Sequence, residues 1–145
     1  MRKQINSIFV YLFFIACWIF FFYFYPYHLH YKEQITLCVL QPDFLQTYLQ
    51  KPAFLTEICG DYLTQFFLWT GGGSSILTLT FVFTWLGLRI ALRKTGITSH
   101  VSLWALLPIV AEWALSCHLE YPLSMSLGLM CSVWAFSLST LSTST

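Results

Sequence analysis

Six acidic residues and four histidines carry most of the acid–base and metal-binding capacity of this 145-residue chain. Four of the acids (Glu33, Asp43, Glu57 and Asp61) and two of the histidines (His28 and His30) fall between Tyr25 and Trp69. Glu57 and Asp61 are one helical turn apart, a spacing at which two carboxylates can serve as a base or as metal ligands. With Gln65 they also form a polar face that repeats every four residues, and a solvated helix face has the same pattern. His28-x-His30 followed by Glu33, with His118 and Glu120 further on, offers donors of the kind zinc takes. A helix would turn the two imidazoles about 200° apart, so one ion reaches both only on an extended segment. Polar residues beside an apolar run equally serve as hydrated anchors.

Glu112 is different in kind, because it lies inside an apolar run. An ionisable group at the centre of a bilayer costs roughly 2.5–3.5 kcal/mol on insertion scales and reads as functional by default. It stands about six residues from the end of its run, roughly 9 Å along a helix axis, so a hydrogen-bonded or snorkelled carboxyl is the competing reading. Pro108, four residues earlier, can kink the helix and free a carbonyl. Gly71-Gly72-Gly73 could form an anion-binding nest, but it lacks the lysine and the spacing of a phosphate loop and reads as a hinge. No serine or threonine has the His and Asp neighbours of a nucleophilic triad. The five cysteines include no Cys-x-x-C pair. Cys17 and Cys131 read as packing residues, two of Cys38, Cys59 and Cys117 could pair in an oxidising compartment, and the odd count argues against a disulfide framework. No cofactor is expected.

These residues must be positioned by a chain that is 57% hydrophobic, 19% aromatic and only 9% charged, with a mean hydropathy of +0.68. Soluble domains are about 25% charged, so the expected class is an all-α polytopic membrane protein whose main partner is the lipid bilayer. The net charge of +1 and the lack of a basic patch exclude nucleic acid as a partner. Four spans are expected, at about 5–25, 74–93, 101–117 and 123–141, in a single membrane domain covering 1–145. The first is too long for a signal-peptide core and has no small-x-small cleavage site; its exit carries an interfacial belt of Tyr23, Tyr25, Tyr27 and Tyr31. Residues 26–71 form an outer loop of amphipathic helices. Pro26 stops the first span. One helix starts near Pro42, with Phe44, Leu45, Tyr48 and Leu49 on its apolar side, and another restarts after Pro52. Such helices lie in the interface plane or pack on the ends of the spans. Ser124, Gly128 and Ser132 place small residues at every fourth position of the last span, a stripe suited to close helix packing within the chain or with other membrane helices.

Arg2, Lys3, Arg89, Arg93 and Lys94 fall on one side of this arrangement and only Lys32 and Lys51 on the other. The positive-inside rule then places both termini in the cytoplasm and the 26–71 loop outside.

Phe22-Tyr-Phe-Tyr-Pro-Tyr-His-Leu-His-Tyr-Lys-Glu-Gln34 and Tyr62-Leu-Thr-Gln-Phe-Phe67 resemble the corresponding stretches of a family of uncharacterised multi-pass bacterial inner-membrane proteins, a domain of unknown function. The resemblance covers most of the chain. It implies longer proteins with more spans and often a soluble tail, of which this chain is similar to the N-terminal part. The end at Thr145, with neither charge nor aromatic anchor nearby, fits a truncation. The chain is more distantly similar to membrane glycosyltransferases that use lipid-linked sugars. That likeness implies an early-loop carboxylate as base or metal ligand, a part open to Glu33, Asp43, Glu57 or Asp61, although no Asp-Glu or Asp-x-Asp pair is present. The leading expectation is a structural or assembly module, or the N-terminal part of a larger membrane protein, whose loop presents an acidic surface. The alternatives are a glycosyltransferase-like fragment and a small transporter using Glu112.

Overall fold

The computed structural model describes residues 2–35, 46, 48–97 and 100–142, with side chains described over 6–34, 46, 48–97 and 100–139. Asp43, Cys38 and most of the helix expected from Pro42 lie outside the described residues.

The first apolar run forms α1, Arg2–Ile19, and continues without a break into a π-helical turn, Phe20–Phe24. That turn is packed with rings: Phe21 is fully buried against Phe81, and Phe20 meets Tyr25 and Trp113. Tyr25 leaves helical geometry at φ −124° and ψ 23°. Pro26 does end this helix, yet it also begins the next. It occupies the first position of α2, Pro26–Ile35, where its missing N–H costs nothing. After Pro52 comes α3, Phe54–Thr64, followed by a 3₁₀ turn, Gln65–Leu68.

The glycine triplet is a packing device. A β-carbon on Gly72 would overlap the Phe66 carbonyl oxygen, and Gly71 adopts φ +82°. The chain therefore turns tightly from the 3₁₀ segment into α4, Gly72–Lys94. Thr80 and Thr84 donate to the carbonyls of Ile76 and Thr80, at 2.9 and 2.8 Å, so their hydroxyls are satisfied within that helix. The third apolar run is broken into α5, Val101–Trp104, and α6, Leu106–Ser116. Pro108 accounts for the interruption at Ala105: it offers no N–H to the carbonyl of Trp104, and its ring crowds that carbonyl. A short turn through Pro122 leads into α7, Leu123–Ser142.

The central helix is α4, which touches α1, α5, α6 and α7. Its inner face (Leu77, Phe81, Trp85) joins Val10, Phe14, Phe21, Leu106, Ile109 and Leu127 in one apolar core. Indole N–H groups pin the neighbours: Trp18 donates to Ser75 Oγ, Trp85 to the Ser102 carbonyl and Trp134 to the Phe83 carbonyl, each at 3.1 Å. Two helices, Asn6–Phe24 and Gly72–Lys94, are long and apolar enough to cross a membrane by length and composition; Val101–Ser116 and Leu123–Ser139 are shorter apolar stretches.

The bundle has two unlike ends. At one, Asn6 Nδ2 meets His100 Nδ1 at 3.0 Å, Lys94 Nζ donates to the Ser137 carbonyl at 2.7 Å, and Arg89 and Arg93 line an open cavity of about 450 Å³ with Asn6, Ser7 and Ser102. At the other, α2, α3 and the turn before α7 come together.

Helix α3 packs on the start of α7 through Gly60, where a β-carbon would lie 2.8 Å from the backbone of Ser124. The small-residue stripe is thus divided. Ser124 is buried in this contact, whereas a β-carbon on Gly128 would meet nothing within 4 Å and Ser132 is exposed, donating to the Gly128 carbonyl. Gly60→Ala should therefore force α3 away from α7 and cost about 1–3 kcal/mol. Gly128→Ala should be neutral, or stabilising by about 0.5–1 kcal/mol through helix propensity. Thermal unfolding of the two purified variants in detergent checks this, and equal effects would mean that the α3–α7 contact is not close.

Candidate functional site

The second end of the bundle is organised by Lys32. It sits on α2, is buried with 8% of its surface exposed, and its Nζ donates to the carbonyls of Ser116 at 2.9 Å and Tyr121 at 3.0 Å. The last carbonyls of a helix have no partner within it and carry partial negative charge. Lys32 supplies, from another helix, the cation that the end of α6 requires. Burial pushes its ammonium down to about 8, with Cys117 acting in the opposite direction.

Above this contact lies a cavity of about 380 Å³. Its polar lining includes Lys32, Asp61, Thr64, Ser116, Glu120 and Tyr121, and its apolar lining includes Phe67, Leu77 and Leu123. Tyr121 forms part of the wall. Burial raises its phenol above the ordinary value, the neighbouring Ser126 hydroxyl lowers it and the Glu112 charge raises it. Behind that wall, Glu112 is 1% exposed on the inner face of α6.

The expected site residues are distributed unequally around this cavity. Glu57 and Asp61 do share a face of α3, but each is engaged separately. Glu57 faces Lys51 at 3.4 Å, and Asp61 accepts a short hydrogen bond from the Tyr48 hydroxyl. Asp61 reaches the cavity and Glu57 does not line it. Glu33 is half-buried on α2. His28 and His30 are carried on a helix, two residues apart, which turns them away from a shared ion. His28 lies against the turn that holds Cys117 and His118. Burial and the charge of Lys32 lower its imidazole below the usual value, while the nearby Cys117 backbone acts the other way. Among the described residues no three His, Cys, Asp or Glu side chains gather in metal-binding geometry. Cys17, Cys59, Cys117 and Cys131 are free thiols.

Three participants carried no clear mark in the sequence. Lys32 enters only as one of two basic residues on the loop side, and Ser116 and Ser126 stand unmarked within apolar runs. The one available signal for Lys32 is its place four residues after His28 in a helix that begins at a span exit. Its burial on another helix's terminus is a tertiary fact.

The pH dependence of Lys32 has a definite sign. Its folded-state value, about 8, lies below the ordinary 10.5, so on raising the pH the folded chain loses this proton first. Between those values the unfolded chain binds more protons, and stability rises with pH across the window. Lys32→Met should abolish that rise. At neutral pH it should also leave carbonyls of the α6 end unpartnered, at a cost of about 1–3 kcal/mol. Unfolding temperatures of the two proteins from pH 7 to 10.5 test both statements; a variant with the wild-type temperature and slope would show that the amine does not hold the turn.

No curated protein and no solved structure matches the chain. A family model does, and it matches from the first residue to the last, 1–145. On that match over its whole length, the chain belongs to a family of unknown function, DUF6057.

Proposed function

We propose that the chain is a four-span integral membrane protein that acts as a structural or assembly module, docking a partner through its loop-capped end. The observation that carries the membrane reading is where the apolar surface lies. The core helix of a soluble protein is mostly buried, whereas only 22% of the apolar stretch of α1 and 39% of that of α4 is buried. Ile8, Phe9, Tyr11, Leu12 and Ile15 stand out along α1, and Leu79 and Phe83 along α4. The belt continues on the shorter helices, with Leu107, Val110 and Leu115 on α6 and Met125, Leu129, Phe136 and Leu138 on α7. Soluble monomers rarely expose contiguous apolar patches beyond a few hundred Å², and lipid is the solvent that favours such a belt.

The orientation follows from charge. Arg89, Arg93 and Lys94 share the end opposite the loop, which the positive-inside rule places in the cytoplasm of a bacterial inner membrane. The loop end carries Glu33, Glu57 and Asp61, half-buried, and an exposed Glu120. An acidic surface does not favour anionic lipid, so a basic segment of a membrane partner suits it better.

Native cysteines test the span count. Cys59 on α3 and Cys131 on α7 are both exposed on the chain itself. In spheroplasts bearing single-cysteine variants, an impermeant maleimide should label Cys59 readily and leave Cys131 unlabelled, because lipid would cover it. Equal labelling would remove α7 from the membrane. Docking is tested by native electrophoresis of gently solubilised membranes. The chain should migrate in a larger complex that Glu33→Lys with Glu120→Lys releases, and a wild-type chain migrating alone would rule docking out.

A further inference from the structure

Glu112 is 1% exposed, and neither of its carboxylate oxygens has a hydrogen-bond partner. One turn further along α6, the hydroxyl of Ser116 is also buried and unpartnered. From α7, Ser126 comes beside both the Glu112 carboxyl and the Tyr121 phenol, and its hydroxyl too is buried outside hydrogen-bond geometry. Buried polar groups are paired in the great majority of cases, and a group that is not calls for an explanation. Here the side chains involved are close together and all of them present oxygen.

A buried carboxylate must be neutralised by a proton or by a counter-ion. Among the described residues the ion pair is between Lys51 and Glu57, so none of their cations neutralises Glu112. A proton would serve one carboxylate oxygen. A bound cation would have the Glu112 carboxylate and the Ser116 and Ser126 hydroxyl oxygens to draw on. An all-oxygen set selects a hard ion, and a single carboxylate balances a single positive charge. Access is provided as well, since Ser116 and Tyr121 face both this cluster and the cavity beside Lys32.

We propose that Glu112, Ser116 and Ser126 bind one small monovalent cation of the sodium class, which enters through the cavity between α2 and the turn before α7. The site is intrinsic to the chain and does not depend on a docked partner.

The test uses the full chain in detergent, in sodium chloride against choline chloride at equal ionic strength. Saturating sodium should raise the wild-type unfolding temperature by about 5–10 °C. Glu112→Gln should remove the shift, and Ser126→Ala should raise the sodium concentration needed by about tenfold. If Glu112→Gln does not fold, radioactive-sodium binding to Ser126→Ala and Ser116→Ala supplies the same comparison, with weakened binding expected. No sodium effect on wild type, an undiminished effect in the variants, or stabilisation by acid alone with nothing added by sodium would each overturn the proposal.

Discussion

One buried ammonium holds this end of the molecule together. Lys32 reaches from α2 to the carbonyl of Ser116, which the end of α6 leaves without a partner within the helix, and to that of Tyr121 in the turn that follows. The amine meets the negative end of the helix dipole; burial disfavours its charged form, yet removing it would leave buried carbonyls unpaired at a cost. Because α2 follows the first long helix after a single non-helical residue, the bond also fixes α1 relative to the turn between α6 and α7. Two segments more than eighty residues apart in sequence are thereby joined, and the cavity between them is shaped by that join.

The ends of the long helices were legible in the sequence because apolar runs, prolines and terminal cations are local signals. Where a span was expected at 74–93 there is a helix, Gly72–Lys94, and its basic last turn carries Arg93 and Lys94. Pro26 was only half legible: a proline that ends one helix can begin another, and the choice depends on whether the following residues find a surface. For α2 that surface is the 3₁₀ turn and the end of α6. Glu112 was legible as an ionisable residue in an apolar run. Its companions Ser116 and Ser126 were not, since a serine in a hydrophobic helix ordinarily bonds back to its own backbone, as Ser132 does to Gly128. Whether a given serine does so is decided by the neighbouring helix.

The same tertiary dependence divided the small-residue stripe on α7. Periodicity groups Ser124, Gly128 and Ser132 on one face, but α3 is only eleven residues long and its glycine meets the stripe at Ser124. Further along, α7 approaches α4 by a different route, with Gly87 beneath Val133 and Trp134. A helix can thus have two close neighbours on different faces, and sequence spacing by itself does not say which small residue serves which neighbour.

The helical path through Ala105 connects the fold to the buried carboxylate. Ala105 keeps helical dihedrals, φ −67° and ψ −18°, and its N–H donates to the Val101 carbonyl at 3.0 Å, so the buried face of Val101 and Ala105 runs on into α6. In α6, Leu106, Ile109, Glu112 and Ser116 lie inward and Leu107, Val110 and Leu115 outward. The inward set follows the three- and four-residue spacing of a single helix face. A rotation by one residue, about 100°, would carry Glu112 from the interior toward the apolar outer surface and bring Ala111 or Trp113 in its place. The register carried through Ala105 therefore positions Glu112, the one acidic side chain within the apolar runs.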